Sequence, residues 1–186
     1  MRRIVLKFGL ISGVLSSTMM LITIPFEDKI GFGYSLIVGY TTIVASFLLV
    51  YLGIRSYRNN VGGGKISFGR AFAVGISITL ITCIFYVVTW EVMYFKFMPD
   101  FLSKYQAHML DKARAGGATE EALAKQKAEM DQLEVQYHNP LYNSAITLVE
   151  PLPVGLLIAL VSAGVLSRRR EPDGNGGIMR DAQGAN

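Results

Sequence analysis

Two acids stand out by their surroundings. Glu150 is the one charged residue in the run 139–167, where it sits beside Pro151 and Pro153 in TLVEPLPVG. Glu91 closes the run 71–90, which carries no charge at all. A carboxyl in or beside hydrocarbon is costly, which makes each acid a functional candidate. Counting about 20 residues outward from Arg168 and from Arg70 brings both acids to the same outer level of a bilayer. If they face each other, Glu91 and Glu150 form a proton or cation site, because close carboxylates do not both ionise cheaply. Pro151 and Pro153 lack amide hydrogens, so they kink the helix and leave backbone carbonyls free to add ligands. The structural alternative is plainer. Near an interface Glu91 reaches water or Lys96, and Glu150 sits at the positive end of a restarted helix, with Tyr86, Trp90 and Tyr94 as an aromatic belt.

Other chemistry finds less support. His108 and His138 lie in a polar segment on either side of Gly116-Gly117, without a Cys or a close His-Glu pair to complete a zinc site, though Asp111 and Asp131 approach them if that segment folds back. The loop VGGGKISFG fails as a phosphate loop, since Ile66 stands where the metal-binding Ser or Thr must follow Gly-Lys. No Gly-x-Ser-x-Gly elbow occurs. These observations predict no metal, no cofactor and no catalytic residue.

The elements that position the two acids are membrane spans. Hydrophobic residues make up 51% of the chain and charged ones 17%, and residues 8–26, 34–54 and 71–90 each lack charge over about the 20 residues that cross hydrocarbon. Spans are therefore expected at about 5–26, 34–54, 70–95 and 141–167. The basic start and apolar body also fit a secretory signal peptide, but the stretch is long for one and no Ala-x-Ala site follows, so the first span is expected to be retained. Small residues recur every four positions as Gly9, Gly13 and Ser17 and again as Gly155, Ala159 and Ala163. Such ridges permit close packing, of the first and fourth spans with each other or with a second subunit. Cys83 is the single cysteine, so no internal disulfide contributes.

Cations sort to one side. Arg2, Arg3 and Lys7 precede the first span, Arg55, Arg58, Lys65 and Arg70 fill the second loop, and Arg168, Arg169 and Arg170 follow the fourth. The first loop, with Glu27, Asp28 and Lys29, and the long segment after the third span carry more acids than bases. Both termini are then cytoplasmic, with the second-loop and 168–170 cations as headgroup anchors on an anionic inner leaflet. Nucleic acid is a poor partner, because these cations border spans and no base-stacking aromatics interleave them.

The segment 97–139 reads as an extracytoplasmic helical hairpin. Phe101, Leu102, Tyr105, Met109 and Leu110 recur at helical spacing before Gly116-Gly117; Thr119 opens a second helix with Glu120 and Glu121 in its first turn, and Leu123, Met130, Leu133 and Tyr137 form its stripe. Asn139-Pro140 ends it, and 171–186 has the composition of a disordered cytoplasmic tail. The fold expected is all-α, an integral membrane four-helix bundle over residues 1–170.

Six blocks carry a likeness to known sequences: KFGLISG, GGGKISFGRAF, WEVMYF, PDFLSKY, NPLYN and EPLPVGL. In this order they resemble a bacterial membrane-protein family, the domain of unknown function 4199 family, over residues 1 to 168. Gly63, Gly64, Ser67, Phe68, Gly69, Phe72, Trp90, Glu91, Glu150, Pro153 and Gly155 match its pattern. The resemblance implies an inner-membrane protein with four helices and implies no activity, substrate or catalytic residue. The expected role is a non-enzymatic structural or interaction protein, acting through its bundle and hairpin on itself or on a membrane partner. The alternative is a small oligomeric transporter or channel subunit coupled to protons or cations through Glu91 and Glu150.

Overall fold

The computed structural model describes residues 1–24 and 32–168, and its architecture follows from where charge is missing. Helix α1 is Arg2–Thr23, α2 is Phe32–Asn60 and α3 is Phe68–Val92, which runs on through a π-helical turn, Met93–Phe97. Helices α4, Phe101–Ala115, and α5, Glu120–Tyr137, form the hairpin. The last span is two rods, α6 at Pro140–Val149 and α7 at Pro151–Ser167. Among the described residues four segments are long and apolar enough to cross a membrane: Arg2–Thr23, Ile37–Asn60, Phe68–Phe97 and Pro140–Ser167. The chain is an all-α, multi-pass membrane bundle, and among the described residues there is no strand. The acids and Lys29 of the first loop, the anchors Arg169 and Arg170, and the tail 171–186 lie outside the described residues.

Side chains are distributed inside out relative to a water-soluble bundle. Leu10, Ile11, Val14, Leu48, Ile84, Val88, Leu157 and Val161 are exposed, whereas Ser12, Ser16, Ser46, Thr79, Thr82 and Ser162 are buried. Apolar side chains gain nothing by leaving lipid for a protein interior, so close packing and hydrogen bonding between helices decide which face turns inward. Ser12 Oγ donates to the Ser46 carbonyl at 2.8 Å, tying α1 to α2.

Helix α3 is central and packs against α1, α2, α6 and α7. Both small-residue ridges meet it rather than each other. A side chain at Gly9 would lie 2.9 Å from Ile81 Cβ, and one at Gly13 2.6 Å from the Phe85 ring. Ser17 Oγ lies 2.7 Å from Thr89 Oγ1, farther along the same seam. On the opposite flank Gly155 lies under Thr79 and Phe47, Ala159 faces Gly75, and Ala163 is fully buried. Phe47, Val50, Ile54, Val74 and Ile78 fill the space between.

The second loop is shorter than its composition implies. Arg55, Arg58, Asn59 and Asn60 are helical, and the turn is left to 61–67, where Gly63 and Gly64 take positive φ of 58° and 82°. Packing extends the helix: Tyr57 is buried, and Arg58 Nη1 lies 3.5 Å from the Leu166 carbonyl, one of the unpaired acceptors at the end of α7. Ser67 holds the N-cap position of α3 with its carbonyl accepting Ala71 N–H, yet its hydroxyl makes no capping bond. Lys65 lies in the turn, Arg70 in the first turn of α3, and Arg168 follows α7.

The hairpin follows its local signals. Gly117, at φ 82°, turns the chain after α4, and Thr119 Oγ1 accepts Ala122 N–H at 3.2 Å. Gln106 Nε2 to Asp131 Oδ1 at 2.6 Å and Ser103 Oγ to Glu134 Oε1 at 2.7 Å then join the two helices. Asn139 Oδ1 caps α6 through Leu141 N–H at 3.0 Å with Pro140 in its first turn, so 138–139 is the whole link between hairpin and last span.

Candidate functional site

Where the hairpin meets the bundle, polar side chains converge at helical spacing. On α3 they are Tyr86 and Trp90; on the last span they are Asn143, Thr147 and Glu150, which at i, i+4 and i+7 share one face. Tyr86 Oη donates to Glu150 Oε2 at 2.7 Å. Trp90 Nε1 donates to Asn143 Oδ1 at 3.0 Å, and Thr147 Oγ1 donates to the same oxygen at 3.1 Å. Asn143 Nδ2 donates to the Tyr137 carbonyl at 3.3 Å, and the Tyr137 hydroxyl lies 3.5 Å from Thr147 Oγ1. Asn143 is fully buried, and these bonds satisfy both ends of its amide. Burial also pushes the Tyr137 phenol above its ordinary range.

The two acids use different partners. Glu91 Oε1 accepts Ser144 Oγ at 2.8 Å, while Glu150 turns to Tyr86. Five residues along an α-helix rotate a side chain by about 140°, so Glu91 leaves α3 well round from Tyr86. Glu150 holds helical backbone between α6 and α7, with Pro151 at the first position of α7 and no capping bond from its own side chain. The carboxyl of Glu150 therefore serves the third span rather than the end of its own helix.

Trp90, Tyr86 and Tyr94 do not form an outward belt. Tyr94 is 1% exposed, its ring lies edge-on to Tyr137 at 5.4 Å, and its hydroxyl has no hydrogen-bond partner among the described residues. Trp90 meets Phe101 edge-on at 5.0 Å, which docks the hairpin on the bundle. In the hairpin Asp131 bonds to Gln106 and Lys127, Asp111 to Arg114, and His138 Nδ1 lies 2.8 Å from the Glu134 carbonyl.

Around this network lies a cavity of about 480 Å³. Ser16 and Met20 of α1, Tyr40 and Ile43 of α2, and Tyr86 and Trp90 of α3 form its sides; Phe101, Leu102, Tyr105, Leu133 and Tyr137 roof it; Ile146, Thr147 and Glu150 close the last wall. Glu91 is not on its wall. Asn143, Tyr137 and Tyr40 were not singled out from sequence as site residues; the polar stripe at 143, 147 and 150 on an apolar helix is the signal that locates the first of them.

No curated protein and no solved structure matches the chain. A family model does match, over residues 7–168, a stretch that starts early in α1, takes in the hairpin and the cavity wall, and stops at the residue capping α7. The chain thus belongs to the family described as Protein of unknown function (DUF4199).

Proposed function

We propose that the chain is a non-enzymatic membrane protein that binds an amphiphilic small molecule in the cavity beneath its hairpin. One observation carries this reading: the 480 Å³ space is walled by three spans, the last span and the hairpin together, within the size range of small-molecule sites. The lining supplies an apolar body and a few convergent polar groups. Binding is tested by titrating purified protein with the neutral fluorophore 1-aminoanthracene and reading energy transfer from Trp90, the chain's single tryptophan. Saturable transfer is expected, and Gly39→Leu should abolish it, because Gly39 lies on the wall and a side chain there meets no atom within 4 Å. Transfer that rises without saturation and ignores Gly39→Leu would overturn the reading.

The setting proposed is a bacterial inner membrane with both termini cytoplasmic and the hairpin outside. Support comes from the cations: Arg2, Arg3, Lys7, Arg58, Lys65, Arg70 and Arg168 gather at the glycine-turn end, against an anionic leaflet. Lys125→Cys on the hairpin should react with an impermeant maleimide on intact cells, and Lys65→Cys only after permeabilisation. The reverse pattern would invert the topology. Self-association, or capture of a membrane partner, belongs to the hairpin's outer face in this reading.

A second reading, proton or cation coupling through Glu91 and Glu150 in an oligomer, draws on Glu150 lying in a span beside a cavity. It requires a route onward to the glycine-turn end, past Phe47, Thr79 and Gly155, which pack together in mid-bundle. Proton or cation flux into liposomes that Glu150→Gln removes would favour it over simple binding.

A further inference from the structure

Resting on that reading of the cavity, we infer that its ligand is a hydrophobic monocation, an apolar body bearing one ammonium or quaternary centre and no anionic group. The argument begins with charge. Among the described residues that line the cavity, Glu150 is the only Asp, Glu, Lys, Arg or His. Its Oε2 accepts from Tyr86, and no Lys or Arg among the described residues pairs with it. Oε1 has no protein partner among those residues and is left to a ligand.

The walls decide what accompanies the charge. Met20, Ile43 and Leu133 supply apolar surface, and Tyr40, Trp90 and Tyr137 supply aromatic rings to the same cavity wall as the carboxyl. Aromatic faces attract cations through their quadrupoles, and the attraction grows when water is excluded. An anionic headgroup would meet Glu150 without a compensating base among the described residues that line the cavity. A bare divalent ion needs several oxygen ligands, and among the described residues no three His, Cys, Asp or Glu side chains converge on one point. A compact cation carried by an apolar body is the class that uses both wall and charge.

The test compares tetraphenylphosphonium with tetraphenylborate, ions of the same shape and opposite charge, by Trp90 emission and calorimetry on the purified full-length protein in neutral detergent. The phosphonium is expected to bind at least tenfold more tightly, and Glu150→Gln to weaken it by about tenfold to a hundredfold, the range for losing a charged partner. Equal binding of the two ions, or a preference that survives Glu150→Gln, would overturn the charge assignment while leaving the cavity reading intact. Failure of both ions and of 1-aminoanthracene would instead remove the cavity reading. A measurement on the unmutated protein keeps the test independent of variant folding: the phosphonium should protect Glu150 from dicyclohexylcarbodiimide, read by mass spectrometry, and the borate should not. Labelling of Glu150 that proceeds at the same rate with and without the phosphonium would also overturn it.

Discussion

The two halves of this bundle are built from the same four helices by opposite rules. Toward the glycine turn, Gly53 faces Ile78, Gly75 faces Ala159 and Gly155 faces Phe47, and backbones approach until no side chain could be added. Toward the hairpin, between α3 and the last span, large aromatic and amide side chains replace the small ones and hydrogen-bond to each other, while the α1–α3 seam stays close at Gly13 and Ser17. Close approach excludes chemistry, whereas separation by bulky polar groups creates a walled space in which a carboxyl can act. Residue size and a few polar groups make the difference, on spans whose average hydropathy fits a membrane from end to end.

That contrast can be broken most severely at Gly155. Gly155→Leu places a side chain against Thr79 and Phe47, and overpacking of this kind costs about 3 kcal/mol or prevents assembly. Loss of monodisperse protein, or a large drop in the thermal midpoint in detergent, is the expected reading; a parent-like melt would show that the closed half has slack. In the open half, Asn143→Leu leaves Trp90 Nε1 and Thr147 Oγ1 without their shared acceptor, at a cost of about 1–3 kcal/mol. Trp90 emission should shift with it, and an unchanged spectrum would count against the network.

Tyr94→Phe sharpens the comparison from the other direction. It removes a buried hydroxyl that has no partner among the described residues, so a gain of about 1 kcal/mol is expected in the same melt, and a loss would reveal a bond to that hydroxyl. The smallest effect concerns the exposed hairpin. Hydrogen bonds from Gln106, and then Lys127, hold the Asp131 carboxyl below its usual range. A lowered folded value means that the stabilisation is complete above the unfolded Asp range, near pH 3.9, and fades as pH falls through the folded value. Amide exchange in α4 and α5 should therefore be flat from pH 8 to about 5, after correction for intrinsic rates, and protection should fall only below about 4. Gln106→Ala should move that fall to higher pH.

Much of the fold was legible because its signals are local. Charge-free runs near the length of a bilayer mark the spans, and Gly116-Gly117, Thr119 and Asn139-Pro140 mark the hairpin through turn and cap chemistry that needs no distant partner. The site was less legible because it depends on which faces meet. In a span that is apolar all round, periodicity does not single out an inward face, so the small-residue ridges gave closeness without naming α3 as the neighbour. Glu91 and Glu150 could be given the same depth by counting, but depth says nothing of azimuth, and it is azimuth that sends one to Ser144 and the other to Tyr86. Asn143 escaped notice because a lone amide in NPLYN resembles a loop residue until Trp90 is seen opposite.

The junction between hairpin and last span has a mechanical consequence. With only His138 and Asn139 between them, α5 and α6 have no slack. The 18 residues of α5 make a lever about 27 Å long, joined to α6 without an intervening loop. Torque applied at its tip is delivered within two residues to the rod that carries Asn143 and Thr147, and through that rod to Glu150.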